Sequence, residues 1–359
     1  MNAAVAAQTS ASPVMTTSHA LFCLGPAGNG ALEVREVARP NPGADEVEIA
    51  VEAATINPID LRRAEGYGAR LLSLLGAGKF PMVLGNDFAG TVAMAGAKVS
   101  TFKRGDRVYG LKPASARGTH ASHVLVKAAH VLHAPVLHAP AGQDFQALAA
   151  LPYSFVTMWL AVRGAGLTRE NAAGKKVLVH GAAGGLGTLA LQTLSGWGAQ
   201  VTAIARPPAL EACRQAGAGD VLDGTREPFS QLGATFDATL NFATWDDDLA
   251  LVRCLRAGAL GHATTVHPML ANLDKYGWVR GALRSLSEKN AHRKALPKGT
   301  KNYVWTLFRP DSEALAQFAE LVEEQRLSLA IGIRKPLAQA ADAFDHVRKG
   351  KPGRALLTP

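Results

Sequence analysis

The sequence contains little cysteine and no long uninterrupted apolar run. Its three cysteines, Cys23, Cys213 and Cys254, are scattered over 359 residues, so they form neither a disulfide framework nor a C-x-x-C metal knuckle. Such thiols suit a reducing compartment, and we expect a cytoplasmic protein. No apolar run approaches the ~18 residues that a membrane-spanning helix needs, so we expect no membrane span.

The first residues of the chain lack charge. Residues 1–19 contain no Lys, Arg, Asp or Glu. A secretion signal would begin with positive charge before an apolar stretch, and a transit peptide would carry arginines. We therefore predict a disordered tail over residues 1–19.

The composition is that of a globular protein with excess positive charge. Hydrophobic residues make up 48% and charged residues 19%, and the net charge is +9, which favours anionic partners. Residues 275–301 carry eight Lys or Arg against one acid, Glu288. This stretch could contact phosphate or nucleic acid, but it lacks the interleaved aromatics of a stacking surface for RNA. We prefer a solvated loop and helix face, without a nucleic-acid partner.

The pattern of apolar residues changes along the chain. Residues 21–140 show short alternating runs separated by Gly and Pro, which is typical of β-structure. From about residue 147 apolar residues recur at helical spacing, and strand-like and helix-like segments then alternate up to about residue 327. Such alternation predicts a parallel sheet covered on both faces. After residue 327 we expect short strands again.

A glycine-rich segment lies where the first strand of this block ends and a helix begins. The sequence VLVHGAAGGLG spans residues 177–187, and its glycines allow a tight turn that brings backbone N–H groups close to a pyrophosphate at the helix N-terminus. A purely structural turn is the alternative, since Ala183 replaces a glycine of the G-x-G-x-x-G pattern. The predicted cofactor-binding residues here are Gly181, Ala183, Gly184, Gly185, Leu186 and Gly187.

The next strand ends in a residue that bears on the choice of dinucleotide. Enzymes that bind NAD usually place an acid after this strand to hold the ribose 2′-OH. Here the strand QVTAIA is followed by Arg206, whose guanidinium suits a 2′-phosphate. We therefore predict NADPH as the cofactor, the alternative being an arginine that only faces water.

Several motifs together resemble one superfamily. They are INPIDLRRAEGYG (56–68), FPMVLGNDFAG (80–90), FKRGDRVYG (102–110), LPYSFVTMW (151–159), the glycine motif, YVWTLF (303–308) and FAELVEE (318–324). From residue 20 onward the chain resembles the medium-chain dehydrogenase/reductase superfamily. Within it, the chain is most similar to the quinone oxidoreductase branch and its reticulon-4-interacting protein group.

The resemblance implies a fold and a domain plan. The fold is α/β, with a doubly wound parallel Rossmann sheet inserted into a GroES-like, β-rich catalytic domain. The catalytic domain would comprise residues 20–155 and 326–359, and the Rossmann domain residues 156–325. The active site would lie in the cleft between them.

The resemblance also bears on zinc. Zinc-dependent relatives bind their catalytic metal through a Cys, a His and a later Cys or His, whereas this sequence has Asn57, Asn86 and Tyr153 at those places. Amide and phenol groups are poor zinc ligands, and the four close cysteines of the structural zinc lobe are missing. We expect no metal, and hence hydride transfer to an acceptor that is already electrophilic.

The resemblance suggests catalytic residues. Asn57 and Tyr67 would border the nicotinamide and the substrate, where both could hydrogen-bond a carbonyl oxygen and Tyr67 could supply a proton. Asp60 is a third candidate. The alternatives are that Asp60 caps a helix and that Tyr67 is part of the pocket wall. Related motifs carry Arg where this chain has Ala64, and Arg63 is a possible substitute.

Further cofactor contacts follow from the same resemblance. Thr157 would reach the nicotinamide end, and Asn241 would line a ribose. Thr265, Leu307 and Phe308 would present backbone to the carboxamide. The loop after Asn241 departs from the family pattern, and for each of these residues ordinary packing is the alternative.

Histidines are frequent between residues 120 and 138. They are His120, His123, His130, His133 and His138. The first pair lies in a predicted strand, where positions i and i+3 point to opposite faces. We therefore expect ordinary polar or loop histidines and no metal site.

The predicted function is NADPH-dependent reduction of a quinone or an α,β-unsaturated carbonyl, as small-molecule substrates. Two alternatives stay open: an enoyl-thioester reductase, and a nucleotide-binding module without turnover. A homodimer is possible through the strand at 258–265 or the segment after it.

Overall fold

The computed structural model of the protein describes residues 17–26, 31–133, 144–226, 229–324 and 326–359. The strands are β1 (Thr17–Cys23), β2 (Leu32–Ala38), β3 (Glu46–Ile56), β4 (Met82–Val83), β5 (Asp87–Ala95), β6 (Arg107–Leu111), β7 (His123–Lys127), β8 (Val131–His133), β9 (Lys176–His180), β10 (Gln200–Ala205), β11 (Asp220–Asp223), β12 (Ala238–Asn241), β13 (Gly261–Thr264), β14 (Asn302–Trp305), β15 (Ile331–Pro336) and β16 (Arg354–Thr358). The α-helices are α1 (Pro58–Ala64), α2 (Ala69–Leu74), α3 (Phe145–Ala149), α4 (Pro152–Gly164), α5 (Gly185–Gly196), α6 (Leu210–Gln215), α7 (Asp248–Arg253), α8 (Met269–Lys294), α9 (Ser312–Glu323) and α10 (Ala340–Arg348).

A six-stranded parallel sheet forms one half of the molecule, in which we predict the nucleotide to bind. Its strand order is β11-β10-β9-β12-β13-β14, which is the order of the Rossmann fold. The centre of β9 is fully buried at Val177, Leu178 and Val179, because helices cover both faces of the sheet. The α/β fold predicted from the sequence is confirmed.

A second, β-rich half is built from both ends of the chain. Strand β16 pairs antiparallel with β3, so that Leu357 lies opposite Ala54. Strands β15, β16, β3, β5, β6 and β8 form one sheet, and β7 also pairs with β3. This closure brings the last residues of the chain to the segment that contains Asn57. The domain boundaries at residues 155/156 and 325/326 stay predictions.

The structure corrects two local expectations. Strand β1 begins at Thr17, so residues 17–19 belong to a sheet and not to a tail; residues 1–16 lie outside the described part. The segment after residue 327 contains helix α10 as well as strands. Phe145–Gly164 is apolar and long enough to cross a membrane by length and composition, with 72% of the tested window buried. Such burial is typical of a core helix, whose apolar side chains contact protein.

Candidate active site

The glycine-rich loop connects β9 to α5. Gly187 packs so closely that a Cβ there would lie 2.3 Å from the carbonyl oxygen of Gly181 and 2.5 Å from Cα of Ala182. Gly184 is the N-cap of α5, and no side chain caps the first turn. The first amides of α5 are therefore available to an anion, which the helix dipole also favours.

Asn57 is the centre of a buried polar network. Its Nδ2 donates a hydrogen bond to Oδ2 of Asp87 at 2.8 Å, and its Oδ1 accepts one from Nη2 of Arg354 at 2.5 Å. Asp87 also accepts a hydrogen bond from the backbone N–H of Tyr153 at the start of α4. Three segments that are distant in the sequence, β5, α4 and β16, are thus brought together at the side chains of Asn57 and Asp87.

Burial determines the electrostatics of this network. It raises the pKa of the Asp87 carboxyl to about 7, although the hydrogen bond from Asn57 and the charge of Arg354 oppose the shift. Burial also lowers the pKa of Arg354, opposed by the charges of Asp87 and Asp60. Asp87 is therefore a carboxyl whose charge changes near neutral pH.

Arg354 connects this network to the glycine loop. A Cβ built on Gly185 would lie 2.9 Å from Nη1 of Arg354 and 3.2 Å from Oγ of Ser154. Both Nε of Arg354 and Oγ of Ser154 are buried without a hydrogen-bond partner. The polar network and the glycine-rich loop therefore lie next to each other, with the unpartnered Arg354 Nε and Ser154 hydroxyl between them.

Asp60 accepts hydrogen bonds from two backbone N–H groups of the β-rich half. Its Oδ2 accepts a hydrogen bond from the backbone N–H of Asn57 at 2.8 Å, and its Oδ1 accepts one from that of Gly85 at 2.9 Å. The carboxylate is completely buried and forms a capping box with Asn57 at the start of α1. These bonds hold the Asn57 backbone in place, as expected if Asp60 caps the helix. A catalytic role for Asp60 stays a prediction.

Tyr67 lies where the two halves of the molecule meet. The Arg62 guanidinium is 5.5 Å from the centroid of its ring, and burial raises the pKa of its phenol. The next residue, Gly68, donates its backbone N–H to Oδ2 of Asp274 at 2.6 Å, and Arg70 donates to Oδ1 at 3.0 Å. A carboxylate from α8 therefore caps α2 and fixes the chain next to Tyr67.

Thr157 and Phe308 both contact Tyr153. Thr157 donates its hydroxyl to the Tyr153 carbonyl oxygen at 2.7 Å, and the rings of Tyr153 and Phe308 lie 4.3 Å apart. Leu307 beside them is 45% exposed. The structure thus brings together three of the predicted contact residues at one end of α4.

Asn241 is engaged within the protein. Its Nδ2 donates to the Thr244 carbonyl and to Oδ1 of Asp248, both at 2.8 Å, and its Oδ1 accepts from the N–H of Ala243. Thr265 donates its backbone N–H to the Asn241 carbonyl at 3.1 Å. These bonds order the loop after β12, and a contact of Asn241 with a ribose stays a prediction.

Asp248 organises a second buried cluster that the sequence did not suggest. It accepts hydrogen bonds from Nε2 of His262 and Nδ1 of His292, both at 3.0 Å. Burial alone would raise the pKa of this carboxyl, but the charge and hydrogen bond of His262, with the bonds from His292 and Asn241, bring it well below its usual range. The cluster joins β12, β13 and α8.

Arg206 follows β10, as predicted, and is exposed. Its Nη2 would lie 3.4 Å from a Cβ built on Gly350, so the loop before β16 borders the guanidinium. No ion pair engages Arg206 within the described part of the chain. Its charge is therefore available to a ligand.

The histidines of residues 120–138 are dispersed. His120 is fully buried, with Nε2 3.0 Å from the carbonyl oxygen of Thr55, and burial lowers its pKa. His123 lies in β7 and His130 in a short 3-10 helix, whereas the His133 side chain and His138 lie outside the described residues. Among the residues that the structure describes, no group of three His, Cys, Asp or Glu could hold a metal ion.

The sequence analysis missed Asp87, Arg354 and Asp274. Asp87 lies within the quoted GNDFAG motif, where the adjacent Asn86 drew attention as a position for a zinc ligand. Arg354 and Asp274 carry no local signal, because each acts on a residue more than 200 positions away.

Comparison with known proteins establishes the family. Two family profiles match: the alcohol dehydrogenase GroES-like domain over residues 43–136 and the zinc-binding dehydrogenase over residues 216–352. The chain is 34% identical to the mitochondrial NAD(P)H oxidoreductase RTN4IP1 of Bos taurus over 323 residues, which cover 85% of this chain and 79% of the relative. The human protein of the same name is 33% identical over 326 residues, covering 85% of this chain and 79% of the relative.

A solved structure shows the same fold. The quinone oxidoreductase from Coxiella burnetii superposes with a TM-score of 0.78 at 22% identity, over 96% of this chain and all of that one. The two mammalian relatives are named mitochondrial, which contradicts the cytoplasmic location that we expected. That expectation rested on free cysteines, which indicate a reducing environment but do not distinguish one such compartment from another. The fold, the motifs and these identities show that the chain belongs to the medium-chain dehydrogenase/reductase superfamily, among the RTN4IP1-like oxidoreductases.

Proposed function

We propose that this oxidoreductase uses NADPH to reduce a quinone or an α,β-unsaturated carbonyl without zinc. The observation that carries the proposal is the approach of Arg354 to Gly185. A nucleotide on the glycine loop would therefore lie against the wall that holds Asn57 and Asp87. Relatives named NAD(P)H oxidoreductase support a nicotinamide cofactor, and the fold is shared with a quinone oxidoreductase.

The residues fit NADPH. The uncapped first turn of α5 suits the pyrophosphate, and the unsatisfied Ser154 hydroxyl and Arg354 Nε lie beside the loop. The free guanidinium of Arg206 suits the 2′-phosphate, because it can give two parallel hydrogen bonds to phosphate oxygens. NADPH, when bound, supplies the hydride.

The residues at the positions where zinc-dependent relatives carry their metal ligands do not suit zinc. Asn57 uses both its oxygen and its nitrogen within the polar network, and Nδ2 of Asn86 donates to the Lys112 carbonyl at 2.9 Å. The guanidinium of Arg354 lies beside Asn57 and would repel a divalent cation. Zinc also requires imidazole, thiolate or carboxylate ligands in a close group.

We assign to Tyr67 the hydrogen bond to the carbonyl oxygen of the hydride acceptor. Burial raises its pKa, so its phenol keeps the proton at neutral pH and can donate a hydrogen bond where negative charge develops. Asn57, held by Asp87 and Arg354, positions the pocket wall. A quinone or activated enone suits this site because it accepts hydride without a metal ion.

The experiment that tests this function is NADPH consumption by the purified, metal-stripped protein. The acceptors are an ortho-quinone, a simple enone and an enoyl thioester, with NADH measured beside NADPH. Fast NADPH loss with quinone or enone and little NADH loss is the expected result. Turnover of the enoyl thioester alone would establish the alternative reductase, and tight NADPH binding without any turnover would establish the binding module.

A further inference from the structure

Exposed apolar side chains are concentrated on two helices. Of ten large apolar residues exposed in the described part of the chain, seven lie on α2, directly after it, or on α8. The seven are Leu74, Leu75, Tyr276, Trp278, Val279, Leu283 and Leu286; because α2 packs against α8, we refer to them together as the apolar face. Concentrated exposure of this kind marks an interaction site, whereas single exposed apolar residues do not.

Helix α8 presents its apolar side outward because it turns back on itself. Gly277 interrupts the helix with φ 81°. Beyond it Gly281 packs against the first arm, where a Cβ would lie 2.5 Å from the Asn272 carbonyl oxygen. Gly281 and Ser285 are buried. Small and polar residues therefore occupy the side on which a surface helix normally places its leucines.

Hydrogen bonds hold this inverted arrangement. Nδ2 of Asn272 donates to Oγ of Ser285 at 3.2 Å and to Oε2 of Glu288 at 2.8 Å. Further along, His292 bonds to the buried Asp248. The orientation of the second arm is thus fixed by polar contacts, so Val279, Leu283 and Leu286 stay 73%, 62% and 55% exposed. Their spacing of four and three residues puts them on one stripe of the helix.

The charges around the stripe indicate the chemistry of the partner. Lys275, Arg280, Arg293 and Lys294 are exposed on the same helix. Both acids of α8 are engaged within the protein: Asp274 accepts the backbone N–H groups of Gly68 and Arg70, and Glu288 is bound by Asn272 and Arg284. A two-fold contact between copies would place these cations against one another, which is unfavourable. An anionic surface would complement them.

We propose that α8, with the end of α2, docks the protein on an anionic lipid bilayer. A helix that combines an apolar stripe with flanking Lys and Arg lies in the membrane interface, its apolar side inserted and its cations at the headgroups. Helix α2 begins directly after Tyr67 and Gly68, so the docking face borders the predicted acceptor side. Delivery of a lipophilic quinone from the bilayer rests on the proposed function. Docking on the bilayer does not depend on it.

Sedimentation of the full chain with vesicles tests the docking. We expect binding to phosphatidylcholine vesicles that contain phosphatidylglycerol or cardiolipin, none to phosphatidylcholine alone, and a blue shift of Trp278 fluorescence that a Trp278→Phe variant loses. Combining Val279→Ser, Leu283→Ser and Leu286→Ser should weaken binding at least about tenfold. Arg280→Gln with Lys275→Gln should weaken it by about fivefold for each cation removed.

Matched controls use exposed apolar residues elsewhere. Leu24→Ser and Met94→Ser replace side chains that are 38% and 45% exposed, and should leave vesicle binding unchanged. Equal binding by the triple-serine variant, or absence of binding to anionic vesicles, would overturn the proposal. A dimer in light scattering that the triple variant dissociates, without vesicle binding, would show that a second copy covers the face. NADPH turnover with a water-soluble quinone should not change in the triple variant, so failure of the reductase assay and failure of docking are separate results.

Discussion

Arg354 donates a hydrogen bond to the side-chain oxygen of Asn57 across a separation of 297 positions in the sequence. The arginine begins the last strand, and the asparagine caps the first helix of the catalytic half. Because a Cβ on Gly185 would also lie 2.9 Å from the same guanidinium, this contact joins the two ends of the catalytic half to the nucleotide loop. The proposed chemistry depends on that junction.

Replacing Arg354 should damage both folding and turnover. Arg354→Met leaves the Asn57 oxygen and the buried Asp87 without their cation, and an unsatisfied buried group costs about 1–3 kcal/mol. We expect a lower Tm and a kcat reduced at least about tenfold, measured by calorimetry and NADPH consumption. Arg163→Met is the control, because its ion pair with Glu313 is exposed and should contribute at most about 1 kcal/mol. Unchanged turnover in Arg354→Met would contradict a role for this junction.

Two glycines of the loop should respond differently to alanine. Gly187→Ala places a Cβ 2.3 Å from the Gly181 carbonyl, and we expect a loss of roughly 2 kcal/mol or more in stability. At Gly184 a Cβ would meet only the Gly181 oxygen at 3.4 Å, so the fold should persist. The methyl group would otherwise meet no protein atom within 4 Å at the N-cap of α5, where we propose that the pyrophosphate binds, so NADPH binding measured by titration calorimetry should weaken. Equal NADPH affinity in Gly184→Ala would argue against the proposed cofactor position.

The preference for NADPH should depend on Arg206. Arg206→Ala removes the free guanidinium, and we expect NADPH affinity to fall about tenfold or more, since a charge-assisted contact contributes about 1.5–3 kcal/mol. NADH affinity should stay within about twofold, because NADH lacks the 2′-phosphate. Arg104→Ala, at an exposed site in the other half, should change neither value. An equal loss for both cofactors would show that Arg206 does not read the 2′-phosphate.

Asp87 should make stability depend on pH in an unusual direction. Its pKa is raised from the ordinary 3.8 to about 7, so between these values the folded protein retains a proton that the unfolded chain releases. Stability should therefore decline as pH rises through this window, by an amount on the order of a few kcal/mol.

Denaturant unfolding at several pH values measures this effect. Asp87→Asn should remove the decline, but it should also lower stability overall, because the new amide would place a donor against either Nδ2 of Asn57 or the backbone N–H of Tyr153. Asp106→Asn, at a carboxylate that accepts the backbone N–H of Lys103, should keep the decline. A pH-dependent slope that survives in Asp87→Asn would assign it to another group.

The Asp274 cap should affect the acceptor more than the cofactor. Asp274→Ala removes both hydrogen bonds to the start of α2, and loss of a helix cap costs about 1 kcal/mol. Since Tyr67 directly precedes the capped residues, we expect a raised KM for the quinone with NADPH affinity unchanged. Asp274→Asn retains one acceptor oxygen and should show a smaller effect. A change confined to NADPH binding would contradict this position for the acceptor.

Local sequence patterns were sufficient to predict the half of the molecule that contains the parallel sheet. The continuous apolar run of β9, the glycines after it and the helix from Gly185 follow from burial on both faces and from close backbone approach, which are properties of neighbouring residues. The position of Arg206 after β10 follows in the same way. The predicted and observed positions of these elements agree because the residues that determine each element lie within about 30 positions of one another in the sequence.

The surroundings of the candidate catalytic residues could not be predicted from the sequence. Asn57, Asp60 and Tyr67 were identified through a family resemblance, but their surroundings were not. Asp60 turned out to accept two backbone N–H bonds, and Asn57 to have its amide held by Asp87 and Arg354. No local pattern carries such information, because burial and hydrogen-bond partners depend on which distant segments the fold brings together.

The sequence by itself determined the alternation of strands and helices, the glycine-rich loop between β9 and α5, and the superfamily, since these depend on periodicity and on residue types at short spacing. Only the tertiary structure decided that the last strand would pair with β3 and bring Arg354 to Asn57, and that Asp274 would cap α2. It also decided that α8 would turn at Gly277 and expose Leu283 and Leu286. Each of these outcomes is a contact between segments far apart in the chain, and the free energy of such a contact is set by packing and burial that exist only once the whole chain has folded.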